Sequence, residues 1–165
     1  MAPEQELGEL LRRAGWTVGT AETCTGGLIV HRLITVAGSS AYVRGGVVAY
    51  HNDLKTGLLG VDPAVITAHG VVSEATALAL ARAARATLGV DLALATTGIA
   101  GPPDPARRSR KPVGLVYVAA AWPGGERCER HQWPSQERLA NMTASAGAAL
   151  ALGIAAVRAA LAAGG

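Results

Sequence analysis

The stretch Asp91-Leu92-Ala93-Leu94-Ala95-Thr96-Thr97-Gly98-Ile99-Ala100-Gly101-Pro102 decides the fold. Asp91 to Thr96 reads as an apolar strand, short and bounded by turn residues, and it runs straight into a glycine turn. A second segment has the same form. Trp16 to Ala21 reads as a strand, Glu22-Thr23-Cys24-Thr25-Gly26-Gly27 as a turn, and Leu28 to Val36 as a helix. Open α/β sheets bind ligands where strands end and such turns begin.

Outward from these two segments, helices and strands alternate. Leu7, Leu10 and Leu11 have helical spacing, with Gly15 as the C-cap. Gly38-Ser39-Ser40 breaks the helix after the first strand, and Gly45 to Tyr50 forms a strand. A short helix is expected over Leu54 to Leu59, and Pro63 opens another that ends near Gly70. Ser73 is placed to cap a helix whose apolar face is Ala77, Leu80, Ala81, Ala84 and Leu88. Val113 to Ala121 and Arg127 to Trp133 flank the turn Pro123-Gly124-Gly125, which predicts a hairpin. Ser135 is expected to cap a last helix with Leu139, Met142, Ala146, Leu150, Ile154, Val157 and Leu161 on its buried face. The order α-β-α-β-α-α-β-β-β-α predicts one α/β domain over residues 1–165, a mixed sheet covered by helices in a three-layer arrangement.

Composition agrees and excludes several classes. The 165 residues suffice for one core, half are apolar, and only 16% are charged, which argues against disorder. With no Phe and 21 glycines, the core is expected to be packed by Ala, Leu, Val and Ile around tight turns. The formal charge of +3 is mild; the dense basic run Arg107, Arg108, Arg110 and Lys111 lacks interleaved aromatics, so nucleic-acid binding is disfavoured. Cys24 and Cys128 fit no metal or CxxC spacing, and His31, His51, His69 and His131 are scattered, so no metal site is expected. The acidic, polar N-terminus is no signal peptide, and Ala144 to Val157 falls short of a membrane span. A reduced, cytoplasmic setting is the expectation.

Chemistry has two candidate sources. The turns at Thr23–Gly27 and Thr97–Gly101 suit an anion, since a helix N-terminus carries free N–H groups and positive partial charge. Neither is a Walker loop or a dinucleotide fingerprint. The other source is Ser40, Tyr50 and Lys55. A serine needs a base, a neutral lysine can serve, and a tyrosine can relay a proton or orient the lysine. Against these stand plain readings: turn serines, a core tyrosine and a surface lysine. Cys24, at a helix N-terminus, reads better as a small buried residue than as a thiolate. Glu22 would repel an anion there, leaving a structural hydrogen bond or a ribose contact.

Seven segments occur in a telling order: Ala21-Glu22-Thr23-Cys24-Thr25-Gly26-Gly27, Gly38-Ser39-Ser40-Ala41-Tyr42, Gly45-Gly46-Val47-Val48-Ala49-Tyr50-His51-Asn52, Leu58-Leu59-Gly60-Val61, His69-Gly70-Val71-Val72-Ser73-Glu74, Thr97-Gly98-Ile99-Ala100-Gly101-Pro102 and Lys111-Pro112-Val113-Gly114-Leu115-Val116-Tyr117. Together they resemble the C-terminal domain of the competence/damage-inducible CinA family, in its stand-alone form, over about Leu7 to Val157. The resemblance implies hydrolysis of the carboxamide of nicotinamide mononucleotide to nicotinate mononucleotide and ammonia, with no metal or cofactor. It implies Ser40 as nucleophile, Tyr50 and Lys55 assisting, and a nucleotide pocket walled by Glu22, Thr23, Thr25, Gly26, Gly27, Thr97, Gly98, Ala100 and Gly101. It also implies a homodimer or higher homo-oligomer. The alternative is a nucleotide-binding or regulatory module that has lost catalysis. Three departures favour that alternative: Thr23 stands where the family usually has serine, Pro102-Pro103-Asp104-Pro105 replaces a glycine-rich loop, and Ala140 and Asn141 stand where members often carry Arg, with Arg138 nearby.

Overall fold

A computed structural model describes residues 1–105 and 110–164. The chain runs α1 (Pro3–Ala14), β1 (Val18–Glu22), α2 (Leu28–Ile34), a 3-10 turn (Ser39–Ala41), β2 (Val43–Val48), a π turn (Leu54–Leu58), α3 (Pro63–His69), α4 (Glu74–Leu88), β3 (Leu92–Gly98), β4 (Leu115–Trp122), β5 (Gly125–Gln132) and α5 (Arg138–Ala163). This is the expected order. Arg107 and Arg108 of the basic run lie outside the described residues.

One five-stranded sheet has the order β2-β1-β3-β4-β5. β2, β1 and β3 are parallel; β4 is antiparallel to β3, and β5 to β4. β3 is the central strand, and every residue from Leu92 to Thr97 is buried. An apolar run without alternation is what a strand covered on both faces requires. The covers are α4 on one face, with Ala77, Leu80, Ala81 and Ala84 against Ala93, Ala95 and Ala119, and α1, α2 and α5 on the other, with Leu7, Leu11, Leu33 and Leu150 around Leu92, Leu94 and Val118. The result is a mixed α/β/α sandwich. The two free cysteines belong to opposite layers, Cys24 to the α5 side and Cys128 to the α4 side.

Small residues set the spacing. A Cβ on Gly153 of α5 would lie 3.1 Å from Leu7 and 3.3 Å from Leu94, so the glycine lets the helix rest directly on β3. At 26 residues α5 has the length and composition of a membrane span, but Ala146, Ala149, Leu150, Leu152 and Val157 are buried against the sheet and α1, which makes it a core helix here.

The caps are largely those expected. The N–H of Gly15 closes α1, Asp62 accepts from Ala64 N at 2.9 Å, and Ser73 accepts from Thr76 N at 3.2 Å. The start of α5 differs. Glu137 occupies the cap position, and Ser135 Oγ accepts from Glu137 N at 3.0 Å. Serine makes the same short backbone bond in a turn as in a cap, so sequence places the helix start early. In the actual register Leu139 is 68% exposed and leaves the buried face.

Because β1, β2 and β3 are parallel, their C-terminal ends share one edge of the sheet. β4 and α5 start near that edge as well, with Ile99 N donating to Leu115 O at 2.8 Å and Asn141 Nδ2 to Ala100 O at 2.8 Å.

Candidate functional site

At this edge lies an open cleft of about 560 Å³. Thr23 and Cys24 enter it from the end of β1, Tyr50, Asn52 and Lys55 from the segment after β2, Val71 and Val72 from the approach to α4, Thr97 to Gly101 from the end of β3, and Arg138 from α5. A groove of about 660 Å³ between the last turns of α4 and the β4–β5 hairpin is larger, but Arg82, Arg85, Trp122 and Glu126 line it with no hydroxyl or thiol. The cleft, by contrast, is lined by the hydroxyl residues Thr23, Tyr50 and Thr97 and by Cys24.

Lys55 is the unusual group in it. The π turn carries it inward, and the residue is only 1% exposed. Its Nζ donates to Tyr50 O at 3.2 Å and Asn52 Oδ1 at 3.3 Å, both neutral acceptors. Among the described residues no carboxylate forms a salt bridge with it. Burial disfavours the ammonium, so the Lys55 pKa is lowered from the ordinary lysine value, with the nearby Cys24 sulfur opposing the shift. Tyr50 contributes its backbone carbonyl to this bond, whereas the residue itself is 70% exposed on the rim. The Cys24 thiol is pushed up to about 11, chiefly by burial, and stays protonated near neutrality.

Ser40 is not part of this cleft. It sits in the 3-10 turn before β2, while Tyr50 and Lys55 follow β2. The register pairs Val43 with Val18 and Val48 with Glu22, so β2 separates the two groups along its whole length. Five steps at about 3.3 Å make roughly 17 Å. Within one chain the expected trio does not assemble. The hydroxyl that β1 delivers to the cleft is that of Thr23, which donates to Thr96 O at 2.7 Å.

The first glycine turn is also corrected. Glu22 is fully buried and accepts five hydrogen bonds, from Thr20 Oγ1 (3.1 Å), Thr25 Oγ1 (2.7 Å), Gly27 N (3.0 Å), Ile29 N (3.0 Å) and Val30 N (2.9 Å). Its carboxylate thus caps α2 from inside, occupying the N–H groups a phosphate would need. Of the two roles open to Glu22, the structural hydrogen bond is the one these contacts show. Thr25 is buried between Glu22 and Thr96, and Thr25, Gly26 and Gly27 do not line the cleft. In the second turn Thr97, Gly98, Ala100 and Gly101 all line the cleft.

Sequence reasoning passed over Asn52, Val71, Val72 and Arg138 as site residues. Asn52 had a signal, an amide three residues before Lys55. Arg138 lines the cleft from one turn nearer the start of α5 than Asn141. Asn141 is 1% exposed and ties Ala100 O and Ser135 O at 2.8 Å each, so it shapes the wall from behind.

The comparisons with known proteins fit this architecture. The structure matches the competence/damage inducible protein CihA of Agrobacterium tumefaciens at a TM-score of 0.82, with 38% identity over 93% of this chain and 96% of that one. It matches a CinA superfamily protein of Klebsiella pneumoniae at 0.88, with 26% identity over 94% and 96%. A CinA-like protein of Salinibacter ruber is 46% identical over 151 residues, 89% of this chain and 35% of that protein, and one of Mycolicibacterium gilvum is 54% identical over 112 residues, 68% and 26%. The chain thus spans about a third or less of the length of these curated relatives. The model of the CinA C-terminal domain matches residues 2–157, and the chain belongs to that family.

Proposed function

We propose that the chain is a nicotinamide-nucleotide amidohydrolase that converts nicotinamide mononucleotide to nicotinate mononucleotide and ammonia. The observation that carries the reading is Lys55, a buried amine held by two neutral acceptors in a cleft that also presents a hydroxyl. A lysine acts as a base only when neutral, and this environment favours the neutral form.

In the proposed reaction Thr23 Oγ1 attacks the carboxamide carbon while its proton passes to Lys55 Nζ. The lysine returns that proton to the amide nitrogen, the C–N bond breaks, and ammonia leaves an ester on Thr23. Water, deprotonated by the now neutral Lys55, opens the ester to give nicotinate and restores the hydroxyl. Tyr50 supports the step through its carbonyl, which fixes the lysine. This assigns the attack to Thr23 instead of Ser40, because of those two residues Thr23 alone lines the cleft with Lys55.

One observation favours the binding-only alternative: the Thr23 hydroxyl already donates to Thr96 O, a bond it must release to attack. Ammonia release by wild type, Thr23→Val and Lys55→Met separates the two readings. The amidohydrolase reading expects release by wild type and a drop of at least about 10³-fold in each variant. Nucleotide binding with no release from wild type sinks it. The pH profile adds a sign. Neutral Lys55 is the active form, so kcat/KM rises with pH through the lysine's lowered pKa, and it reaches its plateau at lower pH than an ordinary lysine would allow. The same shift means that the unfolded state binds the proton more tightly. Stability therefore rises with pH between the folded and unfolded lysine pKa values, and below both the buried ammonium is a penalty that Lys55→Met removes.

A further inference from the structure

The chain has two lysines, Lys111 on the surface and Lys55 buried. Two residues just ahead of Lys55, Asn52 and Asp53, carry acceptors that could meet its amine. Residues three apart share one side of a helical turn, and Asn52 Oδ1 accepts from Lys55 Nζ at 3.3 Å. Asp53 is turned elsewhere: its carboxylate lies 3.3 Å from His51 Nδ1, and its side chain is 89% exposed. The turn thus sets a neutral amide against the buried amine and leaves the adjacent carboxylate in solvent.

The hydrogen bonds match one proton state of the lysine. A neutral amine has two N–H groups and a lone pair, whereas an ammonium has three N–H groups and no lone pair. Among the described residues Nζ has two acceptors, Tyr50 O and Asn52 Oδ1. They take both N–H groups of the neutral form and leave its lone pair for the cleft. An ammonium would bring a third N–H, with no such acceptor, into a site that is 1% exposed. Tyr50 offers a main-chain carbonyl, which is there whatever side chain it carries. The acceptor that a side chain supplies is that of Asn52.

The geometry points to Asn52 as the positioning residue of the cleft, whose carboxamide aims the Lys55 lone pair and, being uncharged, leaves the amine neutral. It acts through Lys55 and not on the reacting atoms. The use of Lys55 as a base rests on the function proposed above; the hold of Asn52 on Lys55 does not.

Two variants separate aim from charge. Asn52→Asp keeps the acceptor and adds a charge, while Asn52→Leu removes the acceptor and adds none. Asn52 is exposed, so both are expected to fold, and melting temperature checks this. Protein labelled at lysine Cε gives two signals to titrate by NMR, and Lys55→Met identifies the one from Lys55. Asn52→Asp is expected to raise the Lys55 titration midpoint by about one pH unit or more, because a nearby carboxylate favours the ammonium. Lys111 serves as the unmoved control, and in Asn52→Leu the Lys55 midpoint stays at or below that of wild type. Ammonia release from nicotinamide mononucleotide is then followed across pH. Neutral lysine is the active form, so Asn52→Asp loses rate near neutrality and regains it at a pH above the raised midpoint. Asn52→Leu loses about 10- to 100-fold in kcat at every pH, with KM within about twofold of wild type. A Lys55 midpoint unmoved in Asn52→Asp, a kcat of Asn52→Leu within about twofold of wild type, or the same pH-independent loss in both variants overturns the assignment. A midpoint that moves in Asn52→Asp while wild type releases no ammonia defeats the amidohydrolase reading and leaves Asn52 standing. Ammonia release with an unmoved midpoint does the reverse.

Discussion

Two turns follow parallel strands at the same edge of the sheet, and they do opposite things. After β1, the turn Thr23–Gly27 opens α2, and the Glu22 carboxylate folds back beneath it to satisfy three backbone N–H groups. After β3, the turn Thr97–Gly101 opens no helix, and its residues line the cleft. An anion-ready helix N-terminus is thus filled by the protein's own anion, while the turn without a helix becomes the wall. The difference teaches that a glycine turn's function depends on what already occupies its donors. Composition is similar in the two segments; one buried carboxylate separates them.

The comparison breaks hardest at Glu22. Glu22→Ala strands donors from Thr20, Thr25, Gly27, Ile29 and Val30 in a buried site. At about 1–3 kcal/mol per unsatisfied group, partly relieved by water, the loss is on the order of 4 kcal/mol. Thermal unfolding is expected to show a fall of roughly 10 °C for a domain of this size. Glu22→Gln retains one acceptor and falls between. A melting temperature unchanged in Glu22→Ala would return the first turn to the list of ligand sites.

Glycine substitutions sharpen the contrast at smaller amplitude. Gly26 has φ +62° and is exposed, and a Cβ there meets nothing closer than Met142 Cε at 3.6 Å. Gly26→Ala is expected to cost about 1–2 kcal/mol in backbone strain alone and to leave ligand affinity untouched. At Gly101 the added methyl meets Arg138 Cβ and Cα at 2.7 and 3.2 Å, so the turn or the helix start must move. Gly101→Ala is expected to cost about 1–3 kcal/mol and, unlike Gly26→Ala, to weaken nucleotide binding. Melting curves paired with calorimetry read both effects, and equal binding losses in the two variants would erase the distinction between the turns.

Much of this was legible in the sequence. The 3.6-residue spacing of Leu7, Leu10 and Leu11, the Ser73 cap and the unbroken apolar run of β3 are local signals, and local signals gave the elements and their order. What failed was set by partners distant in the chain or by register. Glu22 could equally face a ligand or its own helix until β1 was seen buried on both faces. Ser135 makes a turn bond two residues before the actual cap, Glu137, which sequence cannot tell from a cap of its own. Arg138 depends on how α5 docks on Gly101. Lys55 owes its burial to a π turn, a local irregularity with no periodic signature.

Ser40 differs from these, because its exclusion was already implicit in the predicted order. A residue before a strand and a residue after it lie at opposite edges of the sheet, whatever the fold family. Ser40→Ala is accordingly the smallest expected effect. The residue is exposed in the 3-10 turn, and its loss is expected to change stability by less than about 0.5 kcal/mol. Ammonia release should stay within about twofold of wild type, while Thr23→Val, which removes the hydroxyl inside the cleft, abolishes it. If Ser40→Ala instead loses activity at an unchanged melting temperature, the length of β2 forbids a role in its own chain's cleft. The reacting hydroxyl would then come from a second copy, and sedimentation of the active species would have to show one.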